Sequence, residues 1–129
     1  MAGRLVVSTL NNDTGVLNVQ NGMTGIAKAW VNFNGTVSTP TIRDSFNVGS
    51  ITKNGTGDYT VNFTTAMPNA NYAIKSSAAN SLPLSGSAGF NNGTASAPTS
   101  TSAARVVTFV NSTTAVTDCE SISVAVFSS

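Results

Sequence analysis

The stretch SITKNGTGDYTVNF (residues 50–63) decides the fold class. Tyr59, Val61 and Phe63 alternate with Thr60, Asn62 and Thr64, which puts apolar side chains on one face of an extended chain and hydroxyl and amide groups on the other. NGTG ahead of this run supplies residues that accept positive φ, so the stretch predicts a hairpin whose turn opens at Asn54 and Gly55 and closes at Gly57. The run SFNVGSITK (residues 45–53) is then the partner strand. Its alternation of Phe46 and Val48 slips by one residue at Gly49 and Ser50 before resuming at Ile51, which predicts a β-bulge.

The same period of two recurs outward from the hairpin, in IAKAWVNF (26–33), NYAIKSS (71–77), ARVVTFVN (104–111) and SISVAVFS (121–128). AMPNAN (66–71) and NSTTAVTDC (111–119) supply turns between these runs. Six to eight short strands with polar turns predict an all-β fold, an antiparallel β-sandwich or a small, knob-like barrel. LVVSTL (5–10) and GVLNVQNGM (15–23), separated by NNDTG (11–15), read as an N-terminal hairpin or an extended arm. The expected organisation is an arm over residues 1–24 and one domain over residues 25–129. Residues 79–102, low in complexity with Leu82, Leu84 and Phe90 as apolar outliers, read as one long loop and as a contact surface.

Only 9% of the 129 residues are charged, against roughly 25% in ordinary domains, and Ser, Thr, Asn and Gly fill the difference. A surface of hydroxyls and amides follows. Net charge is +1, and the charges are scattered singly, which argues against nucleic acid or anionic membranes as partners. Neither an apolar signal-peptide core nor a run long enough to span a bilayer occurs, so synthesis as a soluble, unexported protein is expected. One cysteine, Cys119, suits a reducing cytosol and is expected to be a small buried apolar residue.

The chain has no histidine, which removes the commonest general base and transition-metal ligand. No cofactor and no metal are expected. Asp118 and Glu120 lie two apart at a strand entrance and are expected to be a solvated pair, since a glycosidase dyad needs one carboxyl in an apolar pocket. Asp58 follows Gly57, where a carboxylate accepts hydrogen bonds from turn amides. NNDTG is the nearest approach to a calcium loop and lacks a closing glutamate. Six N-x-T sequons, at Asn12, Asn34, Asn54, Asn62, Asn92 and Asn111, are expected by chance in a chain so rich in Asn and Thr. The lone Trp30 is expected to pack in the core or a subunit interface, with sugar stacking as the other role.

Residues 25–74 carry the words AKAWVNFNG, IRDSFNV, NGTGDYTVNFT and AMPNANY in that order. In these words the chain resembles a module found near the C-terminal end of bacteriophage tail-fibre proteins, and SISVAVF resembles that module's last strand. The resemblance implies a non-enzymatic, homotrimeric virion protein, a short tail fibre or fibre tip that binds the host surface. Its N-terminal segment would attach to other virion proteins, and its partner would be a surface glycan or an outer-membrane protein. A capsid decoration protein that stabilises the phage head is the alternative, and a polysaccharide-cleaving tailspike a third reading. For receptor contact the expected residues are Leu82 and Leu84 with Phe90 as an apolar anchor, flanked by the amides of Asn91 and Asn92; alternatively Phe90 tucks into the core.

Overall fold

The computed structural model describes residues 3, 9–12, 15–18, 26–80, 86–89, 100–110 and 115–128. In chain order the strands are β1 (Thr9–Asn12), β2 (Gly15–Asn18), β3 (Ala27–Asn34), β4 (Thr41–Phe46), β5 (Val48–Gly55), β6 (Asp58–Phe63), β7 (Ala73–Ala79), β8 (Gly86–Gly89), β9 (Ala103–Val110) and β10 (Ser121–Phe127). They form two four-stranded antiparallel sheets, β4-β3-β10-β7 and β5-β6-β9-β8, and a separate β1-β2 hairpin in which Asn12 pairs with Gly15. Of the two architectures expected, the β-sandwich is the one formed. Among the described residues the ladders do not close into a barrel.

The alternation read from the sequence builds the core directly. Ala29, Val31 and Phe33 from β3, with Ile122, Val124 and Val126 from β10, face Tyr59 and Val61 from β6, Val106 from β9, and Val48 and Ile51 from β5. Phe33 and Tyr59 meet edge to face across the sandwich, their ring centroids 5.3 Å apart. Cys119 is fully buried beside them, as its small apolar character predicts.

Two features of the hairpin region differ from the sequence reading. SFNVGSITK is not one strand: β4 ends at Phe46, Asn47 adopts φ 55°, and β5 begins at Val48 in the other sheet. Asparagine is one of the few residues that enters this left-handed region at small cost. Its side chain then holds the corner. Asn47 Nδ2 donates to the carbonyls of Lys28 and Thr65, both at 3.0 Å, and its Oδ1 accepts the Thr65 amide at 2.7 Å. The predicted bulge is present at Gly49, where the β5–β6 register shifts between Val48 and Ser50.

The turn itself falls after Gly55, which pairs with Asp58, and a second register shift accommodates Asn54. Gly57 has φ 65°, and a Cβ there would lie 2.7 Å from the Thr108 carbonyl oxygen and from backbone atoms of Thr117. Only glycine fits both requirements.

The corner generates a test. Asn47→Ala removes three side-chain hydrogen bonds and places an alanine in the left-handed region, so a loss of about 2–4 kcal/mol is expected. Asn47→Gly keeps the backbone freely accessible and should recover about 1 kcal/mol of that loss. Thermal denaturation of the two variants measures both; equal melting temperatures would remove backbone strain from the account of this corner.

Candidate functional site

The charged groups are placed first by what they hold together. Asp118 Oδ2 pairs with Lys53 Nζ at 2.7 Å, while its Oδ1 accepts the Gly57 amide at 2.8 Å and the Tyr59 hydroxyl at 2.7 Å. The Tyr59 hydroxyl also lies 3.0 Å from the Gly35 carbonyl, which accepts a further hydrogen bond from Lys53 Nζ at 2.9 Å. The solvated pair expected of Asp118 and Glu120 is therefore not found: Asp118 is a clasp between segments, and Glu120, two residues on, is exposed. The turn amide expected to serve Asp58 goes to Asp118 instead. Asp58 is gripped by Arg105 from the neighbouring strand through both guanidinium Nε, at 2.7 Å, and Nη2, with Asn54 Nδ2 at 3.2 Å.

These contacts set the protonation states. Partial burial pulls the Asp118 carboxyl upward, but Lys53, the Gly57 amide and the Tyr59 hydroxyl outweigh it and hold it below the ordinary carboxylate value. Arg105 likewise lowers Asp58, chiefly by direct hydrogen bonding. Burial, reinforced by the Asp118 charge, raises the Tyr59 phenol, so it remains a donor. Burial also raises the Cys119 thiol. Among the described residues no three of His, Cys, Asp and Glu converge as a metal site would require.

Among the described residues, two outer sheet faces are open for contact. On β5-β6-β9 a shallow groove of about 370 Å³ is lined by Asn54, Thr60, Ser100, Ala103 and Arg105. On the other sheet the register sets Phe46 opposite Trp30, Trp30 opposite Ala125, and Ala125 opposite Lys75, forming one row across all four strands. Trp30 is 38% and Phe46 54% exposed, while Ala29 and Val31 on either side of Trp30 are buried. Of the two packing roles expected of Trp30, in the core or in a subunit interface, the core one is overturned, because strand parity sends it to the face opposite Ala29, Val31 and Phe33.

A polar row borders the aromatic one. Asn32 Nδ2 donates to Ser123 Oγ at 2.8 Å and Ser121 Oγ at 3.2 Å, and its Oδ1 accepts from Arg43 Nη1 at 3.1 Å. Arg43 reaches this face because the β3–β4 register shifts between Asn32 and Phe33, leaving Arg43 as the extra residue of a bulge. Its Nη2 donates to the Glu120 carbonyl at 2.6 Å, which fixes the guanidinium.

The expected contact residues Leu82, Leu84, Phe90, Asn91 and Asn92 lie outside the described residues. The segment around them is not one long loop: β7 continues to Ala79, and β8 pairs with β9 from Gly86↔Val110 to Gly89↔Val107. Glycine and small polar residues concealed β8, since GSAG carries no apolar alternation. For Trp30, whose sugar-stacking role stood second to packing, the signal for an outer position was there: in AKAWVNF the tryptophan is out of phase with three apolar neighbours. No protein family, curated protein or solved structure matches the chain.

The Asp118 clasp predicts a pH dependence with a definite sign. A carboxyl held below its unfolded value of about 3.9 stabilises the fold above that value, and the contribution vanishes as pH falls through the folded-state pKa. Asp118→Asn should cost about 1–3 kcal/mol at pH 7 and should flatten the loss of stability between about pH 5 and pH 2. Urea denaturation across that range gives both quantities; an unchanged acid slope would show that Asp118 does not govern it.

Proposed function

We propose that the chain is a non-enzymatic bacteriophage virion protein, a short tail fibre or fibre-tip domain that forms a homotrimer and binds the host cell surface. The observation that carries this reading is where the fibre-like words fall. AKAWVNFNG is β3 and the Gly35 carbonyl that receives Tyr59 and Lys53; IRDSFNV is β4 and the Asn47 corner. NGTGDYTVNFT is the hairpin, and AMPNANY contributes buried Met67 and the Tyr72 hydroxyl, bonded to the carbonyls of Ser100 and Ala103 at 3.0 and 2.9 Å. Every word thus supplies framework, which supports a rigid scaffold with outer faces left for contact.

The sparse charge also supports close association of copies. Hydroxyl and amide surfaces carry little like-charge repulsion and lose less on desolvation than ionised ones. Three weak surface sites presented together gain avidity through effective concentration, so adsorption tolerates a modest affinity at each site.

Antibody labelling of particles in the electron microscope tests the placement. Label at the tail tip, with trimeric mass by sedimentation of the purified chain at micromolar concentration, is the expected result. Label distributed over the head would replace the fibre reading with the decoration role, and a monomer would count against a trimeric tip.

A further inference from the structure

We propose that the outer face of the β4-β3-β10-β7 sheet is a binding platform for an acidic polysaccharide, with a pyranose ring lying on Trp30 and its carboxylate directed to Lys75. The inference deepens the surface-binding reading above and rests on it for the nature of the partner. Its geometry comes from the register. Phe46, Trp30, Ala125 and Lys75 occupy one row, with both aromatics exposed and Lys75 exposed between half-buried Ile74 and Ser76. Small Ala125 between Trp30 and Lys75 leaves a shallow floor. Two strand spacings separate the backbones of Trp30 and Lys75, roughly 10 Å.

The chemistry of this row suits a sugar better than a second apolar surface. Aromatic faces provide flat apolar area to the C–H side of a pyranose, while the sugar's hydroxyls need donors and acceptors at the rim. The bordering row supplies them as the hydroxyls of Ser123, which Asn32 Nδ2 orients, and of Ser77. An apolar partner would have to desolvate that row and Lys75 together.

Charge selects the class of sugar. Lys75 closes the aromatic row, and Arg43 stands on the same face, fixed against Asn32 and the Glu120 carbonyl. Among the described acidic residues, Asp44 lies on the edge strand β4 opposite Asn32, at the far side from Lys75, and accepts the Ser45 amide at 2.9 Å, while exposed Glu120 lies at the Arg43 end, where its carbonyl holds the guanidinium. By contrast, the cations Lys53 and Arg105 are committed to Asp118 and Asp58. Arg43 shares the β4 edge with Asp44, so the charge at the Trp30–Lys75 end is that of Lys75, which favours a uronate over a neutral hexose.

Trp30 is the sole tryptophan, so its emission reports the platform directly. Titration of the full-length chain with a galacturonate hexamer and with a mannuronate hexamer should give a saturable change in that emission for at least one of them. Maltohexaose should bind at least tenfold more weakly. Lys75→Glu should weaken uronate binding tenfold or more at unchanged melting temperature, Lys75→Arg should restore most of it, and Phe46→Ala should weaken acidic and neutral sugars alike. The proposal is overturned by no saturable change with either uronate, by equal response to maltohexaose, or by an emission shift that follows protein concentration without sugar, which would mean that a second copy covers the face. Failure of the fibre reading is separable: label on the head with uronate binding intact overturns that reading alone, whereas label at the tail tip without uronate binding overturns the platform alone.

Discussion

The Asp118 carboxylate is the point at which the β5–β6 hairpin is held to the segment that leads into β10. It takes Lys53 from the end of β5, the amide of Gly57 from the turn and the hydroxyl of Tyr59 from β6, while the carbonyl of the next residue, Cys119, accepts the Gly35 amide at 2.9 Å. Gly35 follows β3, so the central strands of both sheets are fastened at this end of the sandwich. Asn47 fastens the opposite end, by joining Lys28 at the start of β3 to Thr65 beyond the end of β6. Neither fastening is hydrophobic. Burial drives the two sheets together without fixing their relative position, because it is proportional to area and has no direction; the two polar clasps supply the direction.

Much of this was legible in the hairpin and little of it in the clasps, for a physical reason. Alternation is a property of neighbouring residues, so Tyr59, Val61 and Phe63 announced the core, and the slip at Gly49 announced a bulge. Asn47 interrupts nothing visible: Phe46 and Val48 keep their spacing of two while one faces solvent and the other the core. A positive φ at an asparagine leaves no trace in hydropathy. Asp118 was opaque because its partners lie 59 to 65 residues away in the chain, a separation that only the completed topology brings to contact. Its proximity to Glu120 in sequence suggested a solvated pair, whereas both of its oxygens are taken by the hairpin.

The unusual composition becomes intelligible once the ladders are in place. Asn62 Nδ2 donates to Ser50 Oγ at 3.1 Å and Thr52 Oγ1 at 3.0 Å, Asn54 Nδ2 to Thr60 Oγ1 at 2.9 Å, and Asn32 Nδ2 to two serines across β10. Asn34 Oδ1 accepts both the amide and the hydroxyl of Thr36. Short amides and hydroxyls at facing positions can satisfy one another without the side-chain entropy that long charged residues lose on pairing. Three of the six sequon asparagines, at 34, 54 and 62, are thus parts of the outer-face and turn network. Low charge is a consequence of how these sheets satisfy their outward rows.

Strand parity also separates what the fold requires from what a partner would read. On β3 the odd positions Ala29, Val31 and Phe33 are buried, whereas Trp30 and Asn32 point away from the core, so side chains of the two sets exert their effects through different contacts. Trp30 nevertheless inherits rigidity from β3, which is paired on both sides, with β4 and with β10. A group held this way loses little backbone freedom on binding, which is the condition under which a small flat contact yields measurable affinity. Phe46, Trp30 and Lys75 belong neither to the core cluster nor to the hydrogen bonds of either clasp. The face can therefore vary in chemistry while Asn47, Gly57 and Asp118 keep the scaffold that presents it.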